Sequence, residues 1–271
     1  MAYEQITCEQ RGKVSLITLN RPEKLNAWTP KMMAEMRHAM DAAVAEPSVF
    51  SIVVAANGRA FCAGADIGDV FAKRVEQQDA GETNTDAQRA GAGSWVDYLR
   101  TLPKPTIAAV QGAAVGIGVT QILPMDFRIA ADTARFGFFF VKMGLVPELA
   151  SSALLPQMVG MSRAIDWCLT GRMVSAAEAK EAGLVTDVVP VDQLLDRALA
   201  LGETLANNPG PAMASIRALL LQNVHNDDSV AVQRSEGQAL EGAYRTWEHK
   251  EAIAAFFEKR APNFSKAPDA N

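Results

Sequence analysis

Cysteine and histidine are both scarce in this chain: Cys8, Cys62 and Cys168, with His38, His225 and His249, are all that 271 residues contain. The cysteines show no paired spacing, which argues against a disulfide scaffold, and no Cys/His constellation of the kind zinc requires is present. Three histidines, none close in sequence to Ser151 or Ser152, also disfavour a hydrolytic triad. No stretch reaches the roughly 18 apolar residues of a membrane span, and no basic leader precedes an apolar segment at the N-terminus. A cytoplasmic protein without a membrane span, a metal or a redox cofactor is the expectation. Positive charge is short as well: 26 Lys and Arg against 31 Asp and Glu leave a formal charge of -5, without the basic field of a nucleic-acid partner.

What the chain does have is apolar mass, 49% of its residues, enough for a substantial interior. Residues 3–8 and "VSLITL" at 14–19 read as a strand pair around "RGK". Thr29 before Pro30 predicts a capped helix start, and Met33, Met36, Met40 and Val44 recur at helical spacing until "EPS". "SIVVAA" at 51–56 and "TIAAV" at 106–110 read as buried strands, while the polar stretch 72–93 between them reads as a mobile loop leading into a helix over 94–100. A short helix near 118–123, strands at 126–131 and 183–189, and helices at 151–158, 161–169 and 175–182 follow. From 191 the pattern is almost wholly helical, broken at 207–211 and near 225–229 and then running from about 230 to 259. Alternating strands and helices with a helical tail predict an α/β core over 1–195 and a helical C-terminal region over 196–271. That tail carries Leu240, Tyr244, Trp247, Ile253, Phe256 and Phe257, more apolar positions than one edge of a core covers, so packing on a neighbouring subunit is expected.

Two loops share one design. "GRAFCAGADI" (58–67) and "VQGAAVGIGVT" (110–120) each follow a strand, and glycines there allow sharp turns and a close approach of ligand to backbone N–H groups. Neither loop alone is specific, since "GIG" reads equally as a tight structural turn. It is not a phosphate loop, because the following lysine and hydroxyl are missing, and it lacks the glycine spacing of a dinucleotide site. Downstream, "VKMGLVPELASS" (141–152) places one carboxylate, Glu148, in a run with no other acid.

"NRPEKLNAW" (20–28), "AFCAGADI" (60–67), "KPTIAAVQGAAVGIGVTQILPMDFRIAADTARFGF" (104–138), "GLVPE" (144–148), "LTGRMVSAAEAKEAGLVTDVVP" (169–190) and "AFFEKRAPNF" (255–264) occur in one order that resembles the crotonase, or enoyl-CoA hydratase/isomerase, superfamily. The resemblance spans nearly the whole chain. It implies a spiral of β-β-α units with a helical C-terminal oligomerisation region, assembly as a homotrimer or dimer of trimers, and an acyl-CoA thioester as ligand, coenzyme A being part of the substrate. The thioester oxygen would sit between the backbone N–H groups of Ala65 and Ile117. Positions matching the coenzyme A site are Arg21, Lys24, Ala27, Ala63, Asp66, Ile67 and Lys259, the last beside Arg260.

Hydratases of the superfamily hold a water between two glutamates, and the first would fall on Thr120 here. A hydroxyl cannot serve as a carboxylate base. The enoyl-CoA isomerase branch, which commonly reads "AVGIGVT" and then "GLVPE" with one glutamate, is the more similar. Its glutamate corresponds to Glu148, for which Leu145, Val146 and Leu149 would supply an apolar surround that strengthens the base. Isomerisation of 3-enoyl-CoA to trans-2-enoyl-CoA is thus what the resemblance implies. The alternatives are a hydratase, a ring-opening isomerase of aromatic-acid catabolism using an acid from residues 66–97, or a non-catalytic acyl-CoA-binding oligomer. For the remaining polar residues the readings are structural: Asp66 as a cap, Asp126 and Arg128 as a pair, Ser151 and Ser152 as caps. The cluster Phe136, Phe138, Phe139 and Phe140 is too dense to be all core.

Overall fold

The structure is a computed structural model that describes residues 2–72, 76, 79 and 94–264. Most of the loop expected over 72–93 therefore lies outside the described residues. Two sheets organise the chain. The larger has six strands in the order β1 (Ile6–Arg11), β2 (Val14–Leu19), β3 (Ser51–Ala56), β5 (Thr106–Val110), β7 (Phe127–Ala131) and β10 (Asp187–Val189), parallel except for the β1–β2 hairpin. The smaller has four strands of three residues each, β4 (Ala60–Cys62), β6 (Ala113–Val115), β8 (Arg135–Gly137) and β9 (Met173–Ser175), with only β8–β9 antiparallel. Successive strands β3/β4, β5/β6 and β7/β8 go alternately to the large and the small sheet, which is the β-β-α spiral that the resemblance implied.

The central strands are apolar on both sides because both faces of the large sheet are covered. One face meets helix α1 (Pro30–Ala45), whose Met32, Met36, Ala39, Met40 and Ala43 are buried with Ile17, Ile52, Val54 and Ala108. Met32 therefore belongs to the buried stripe that the spacing assigned to Met33, and the cap is the expected one: the Thr29 hydroxyl accepts the Met32 N–H at 3.0 Å. The other face, with Val14, Val53, Ile107 and Ile129, packs against Leu194 and Ala198 of α7 (Leu194–Leu205).

Helices α2 (Trp95–Thr101), α3 (Ile117–Thr120), α4 (Ser151–Val159), α5 (Met161–Thr170) and α6 (Ala176–Glu181) complete this layered body. Beyond α7, α8 (Gly210–Asn223) packs on α2, α9 (Ser229–Tyr244) on α8 and α10 (Trp247–Glu258) on α9. The single long terminal helix expected from the sequence is two helices: Arg245 ends α9, and the Thr246 side chain accepts the His249 N–H to start α10. Along these three helices Ile216, Leu220, Val230, Leu240, Tyr244, Ile253, Phe256 and Phe257 are exposed.

The phenylalanine cluster is not all core, as expected: Phe136, Phe138 and Phe140 are buried, Phe138 stacking on Trp167 at 5.9 Å, while Phe139 reaches the surface, under the Lys142 ammonium. Two structural readings need correction. Asp126 pairs with Arg217 rather than with Arg128, while its other oxygen takes the Thr106 N–H at 2.8 Å. Buried Arg128 donates instead to the carbonyls of Leu184, Leu123 and Met125 at 2.7, 3.1 and 2.5 Å. Neither Ser151 nor Ser152 caps α4, whose N-cap is Ala150 in a left-handed conformation with φ 56°.

Met36 lies at the centre of this packing with 1% of its surface exposed. Met36→Ala should lower the unfolding free energy by about 2–5 kcal/mol, read as a lower urea midpoint with an unchanged slope.

Candidate active site

The two glycine loops meet because a β4 carbonyl and the first turn of α3 touch. A Cβ at Gly118 would stand 2.2 Å from the Cys62 carbonyl oxygen, so only glycine permits this approach. The next residues of each loop are neighbours too: a Cβ at Gly64 would lie 3.5 Å from the Val115 carbonyl oxygen. The donors expected at Ala65 and Ile117 are thereby brought to one place.

Their N–H groups are available for different reasons. Trp28 forms a bridge across Ala65 by donating to the Gly64 carbonyl at 2.8 Å and accepting the Asp66 N–H at 2.9 Å. In such a bridge the middle residue turns its own N–H to the opposite side. Ile117 opens α3, so its N–H is one of the donors that a helix leaves without an internal acceptor. Gly116 before it has φ 53° and ψ −122°, a conformation that a side chain would strain, and it turns the chain from β6 into α3.

Glu148 faces this helix. Its Oε1 accepts a hydrogen bond from the hydroxyl of Thr120, the last residue of α3, and Thr120 is wholly buried while Glu148 is half-buried. Thr120 lies three residues after Ile117, about 4.5 Å of helical rise. Thr120, the partner of Glu148, and the Ile117 N–H therefore stand on the same turn. Leu149 and Ala150, directly after Glu148, both have left-handed backbone, φ 49° and 56°, a conformation that costs a non-glycine residue about 1–2 kcal/mol. The turn they make returns the chain into α4 with the Ser151 N–H on the Glu148 carbonyl at 3.0 Å. The apolar surround expected from Leu145, Val146 and Leu149 is only partly present: Leu149 packs on the core, whereas Leu145 and Val146 are exposed.

Of the seven positions assigned to coenzyme A, six gather around the first loop. Arg21 donates to the Ala27 carbonyl at 2.6 Å and pairs with Asp66 at 3.1 Å, and the Ala63 N–H meets the Leu25 carbonyl at 3.1 Å. Asp66 also accepts the Gly68 and Asp69 N–H groups at 3.1 and 3.2 Å, which makes it the cap expected from the sequence. The Asp69 N–H, and then Arg21, hold its carboxyl below the usual carboxylate range, so the tie to Arg21 is intact at neutral pH and is lost as pH falls below that range. Arg21 is thus largely committed to holding the loop. Lys24, on a short 3-10 turn, and Ile67 are exposed near it. Lys259 stands apart, exposed at the C-terminus of α10 with φ 54°. Arg260 beside it is taken by Glu251 and Glu258.

Asn26, which the sequence reading passed over, is the pin of this cluster. Fully buried and left-handed at φ 53°, it donates to the Asn57 and Ala60 carbonyls at 2.8 and 2.9 Å and accepts the Arg21 N–H at 2.8 Å. Cys62 has no nucleophilic part to play: burial pushes its thiol up to about 11, so it stays protonated at neutral pH.

The sequence model of a family described as enoyl-CoA hydratase/isomerase matches residues 9–267. Among similar proteins, "Probable enoyl-CoA hydratase" of Rhizobium meliloti is 37% identical over 265 residues, covering 97% of this chain and 99% of that one. The 1,2-epoxyphenylacetyl-CoA isomerase of Escherichia coli is 33% identical over 254 residues, covering 93% and 95%. The crystal structure of an enoyl-CoA hydratase from Bacillus anthracis superposes with a TM-score of 0.85 at 30% identity, covering 97% and 99%. These likenesses extend over both sheets and the C-terminal helices.

The contact at Gly118 generates a prediction. Gly118→Ala should separate the two loops and reduce thioester turnover by about 10²-fold, as loss of one oxyanion donor does. Steady-state kinetics on protein with unchanged far-UV circular dichroism checks it.

Proposed function

Since the chain belongs to the enoyl-CoA hydratase/isomerase family, we propose that it converts 3-enoyl-CoA thioesters to trans-2-enoyl-CoA through a single carboxylate, Glu148. The observation that carries this reading is the Thr120–Glu148 hydrogen bond: the position that would hold a second acid has a hydroxyl, and that hydroxyl serves the one acid present.

The steps follow from the geometry. The thioester oxygen accepts the Ala65 and Ile117 N–H groups, which acidifies C2. The Glu148 carboxylate takes a proton from C2, the electrons move onto the thioester oxygen, and the resulting dienolate is stabilised by the two donors, each worth about 3 kcal/mol. The protonated Glu148 then returns that proton to C4, the double bond settles between C2 and C3, and the carboxylate is regenerated. No water enters the balance. Lys24 and Lys259, the exposed cations of the assigned set, suit the phosphates of coenzyme A, while Ala27, Ala63 and Ile67 offer uncharged surface beside the loop that Arg21 and Asp66 hold. A hydratase is the second reading, favoured by the names of most of the similar proteins.

Glu148→Gln should reduce double-bond migration by about 10²–10⁴-fold with the fold intact, the range for loss of a positioned acid–base group. Undiminished migration in the folded variant would reject the reading, and a hydrated product from the unaltered chain would favour the second.

The exposed apolar side chains of α8, α9 and α10 support assembly into a homotrimer or a dimer of trimers. Changing both Phe256 and Phe257 to Asp should shift the sedimentation velocity peak to the monomer. An unshifted oligomer would place the contact elsewhere.

A further inference from the structure

We propose that Thr120 is a positioning residue: its hydroxyl fixes the plane of the Glu148 carboxylate relative to the oxyanion donor on the same helix as Thr120. The proposal rests on the reading of Glu148 as the base, and adds to it the group that makes one carboxylate sufficient.

Three observations combine. Thr120 is fully buried, and it shares α3 with Ile117. Its Oγ1 donates to Glu148 Oε1 across 28 residues of sequence. Finally, α3 itself cannot slide, because Gly118 rests on the Cys62 carbonyl and the Trp95 indole N–H donates to the Gln121 carbonyl at 2.8 Å just past the end of the helix. The last bond of a glutamate side chain has a broad, two-fold profile with little intrinsic preference. A hydroxyl on a β-branched residue, whose own χ1 is stiff, removes that freedom where transfer between C2 and C4 needs one fixed plane. Placement errors of about 1 Å cost about 10²-fold in rate, so the orientation is kinetically consequential.

The same bond has a chemical effect. Since the hydroxyl proton is directed at Oε1, Thr120 acts on the carboxylate as a donor and is not itself a base.

The test compares Thr120→Val, Thr120→Ser and Glu148→Gln in the full-length chain, with two probes: migration of the double bond in 3-hexenoyl-CoA, and exchange of the C2 hydrogens of butyryl-CoA with deuterium oxide followed by proton NMR. Thr120→Val is nearly isosteric, and far-UV circular dichroism verifies its fold. Expected are a fall in kcat of about 10-fold or more with KM within about two-fold, in both probes, and recovery of most of the rate in Thr120→Ser, which keeps the hydroxyl. Wild-type kcat in Thr120→Val while Glu148→Gln is inactive would overturn the positioning role and leave the proposed function standing. Equal losses in Thr120→Val and Thr120→Ser would also overturn it, by assigning the effect to the methyl group and its packing. Exchange lost in Glu148→Gln and slowed in Thr120→Val, without any alkene shift in the unaltered chain, would reject the isomerase reading and retain the role of Thr120. Absence of exchange and migration in the unaltered chain would overturn both.

Discussion

One hydrogen bond, from the Thr120 hydroxyl to the Glu148 carboxylate, ties together parts of the chain that nothing local would bring into register. Thr120 ends a four-residue helix fed by the small sheet, and Glu148 sits on a loop whose next two residues are held in left-handed conformations. Such a turn costs free energy, and it persists because the core on either side, Phe140 before it and Leu154 and Leu155 after it, over-determines the path. The strain and the bond serve one end. They aim the sole carboxylate of that segment at the helix turn that begins with the Ile117 N–H.

The two-sheet architecture supplies the other half of the site without dedicated side chains. Each β-β step carries the chain from a long, doubly covered strand to a three-residue strand of the small sheet, and the loops that leave β4 and β6 arrive side by side. One donor comes from a parallel bridge that turns Ala65 away from Trp28, the other from the unfilled end of a helix. Both are main-chain groups fixed by the fold, so in the proposed reaction no reorganisation is needed when negative charge develops on a thioester oxygen.

Sequence patterns were legible where one physical cause dominated. Strands at 14–19, 51–56 and 106–110 are apolar on both faces because both faces are covered, and their boundaries agree with the structure. Thr29 with Pro30 marked the start of α1 through local capping chemistry alone. The four strands of the small sheet were not separately legible, since three residues carry no measurable periodicity and their pairing depends on distant partners. The break between α9 and α10 was hidden because Arg245 and Thr246 interrupt a helical pattern without glycine or proline. At the site, family-like motifs nominate Ala65, Ile117 and Glu148, whereas the partnership of Thr120 with Glu148 and the pinning role of Asn26 exist only in three dimensions. In sequence Thr120 reads as a missing acid; the contribution proposed for it depends on where the hydroxyl points.

The central claim is geometric: a lone carboxylate, fixed to the oxyanion helix, stands over the carbon atoms of a thioester. A crystal structure with a non-reactive acyl-CoA bound measures it directly. The account predicts the thioester oxygen between the Ala65 and Ile117 N–H groups and a Glu148 oxygen within about 3.5 Å of C2, as near-attack geometry requires. A thioester oxygen bound elsewhere, or a Glu148 side chain swung away from Thr120 into solvent, would contradict it.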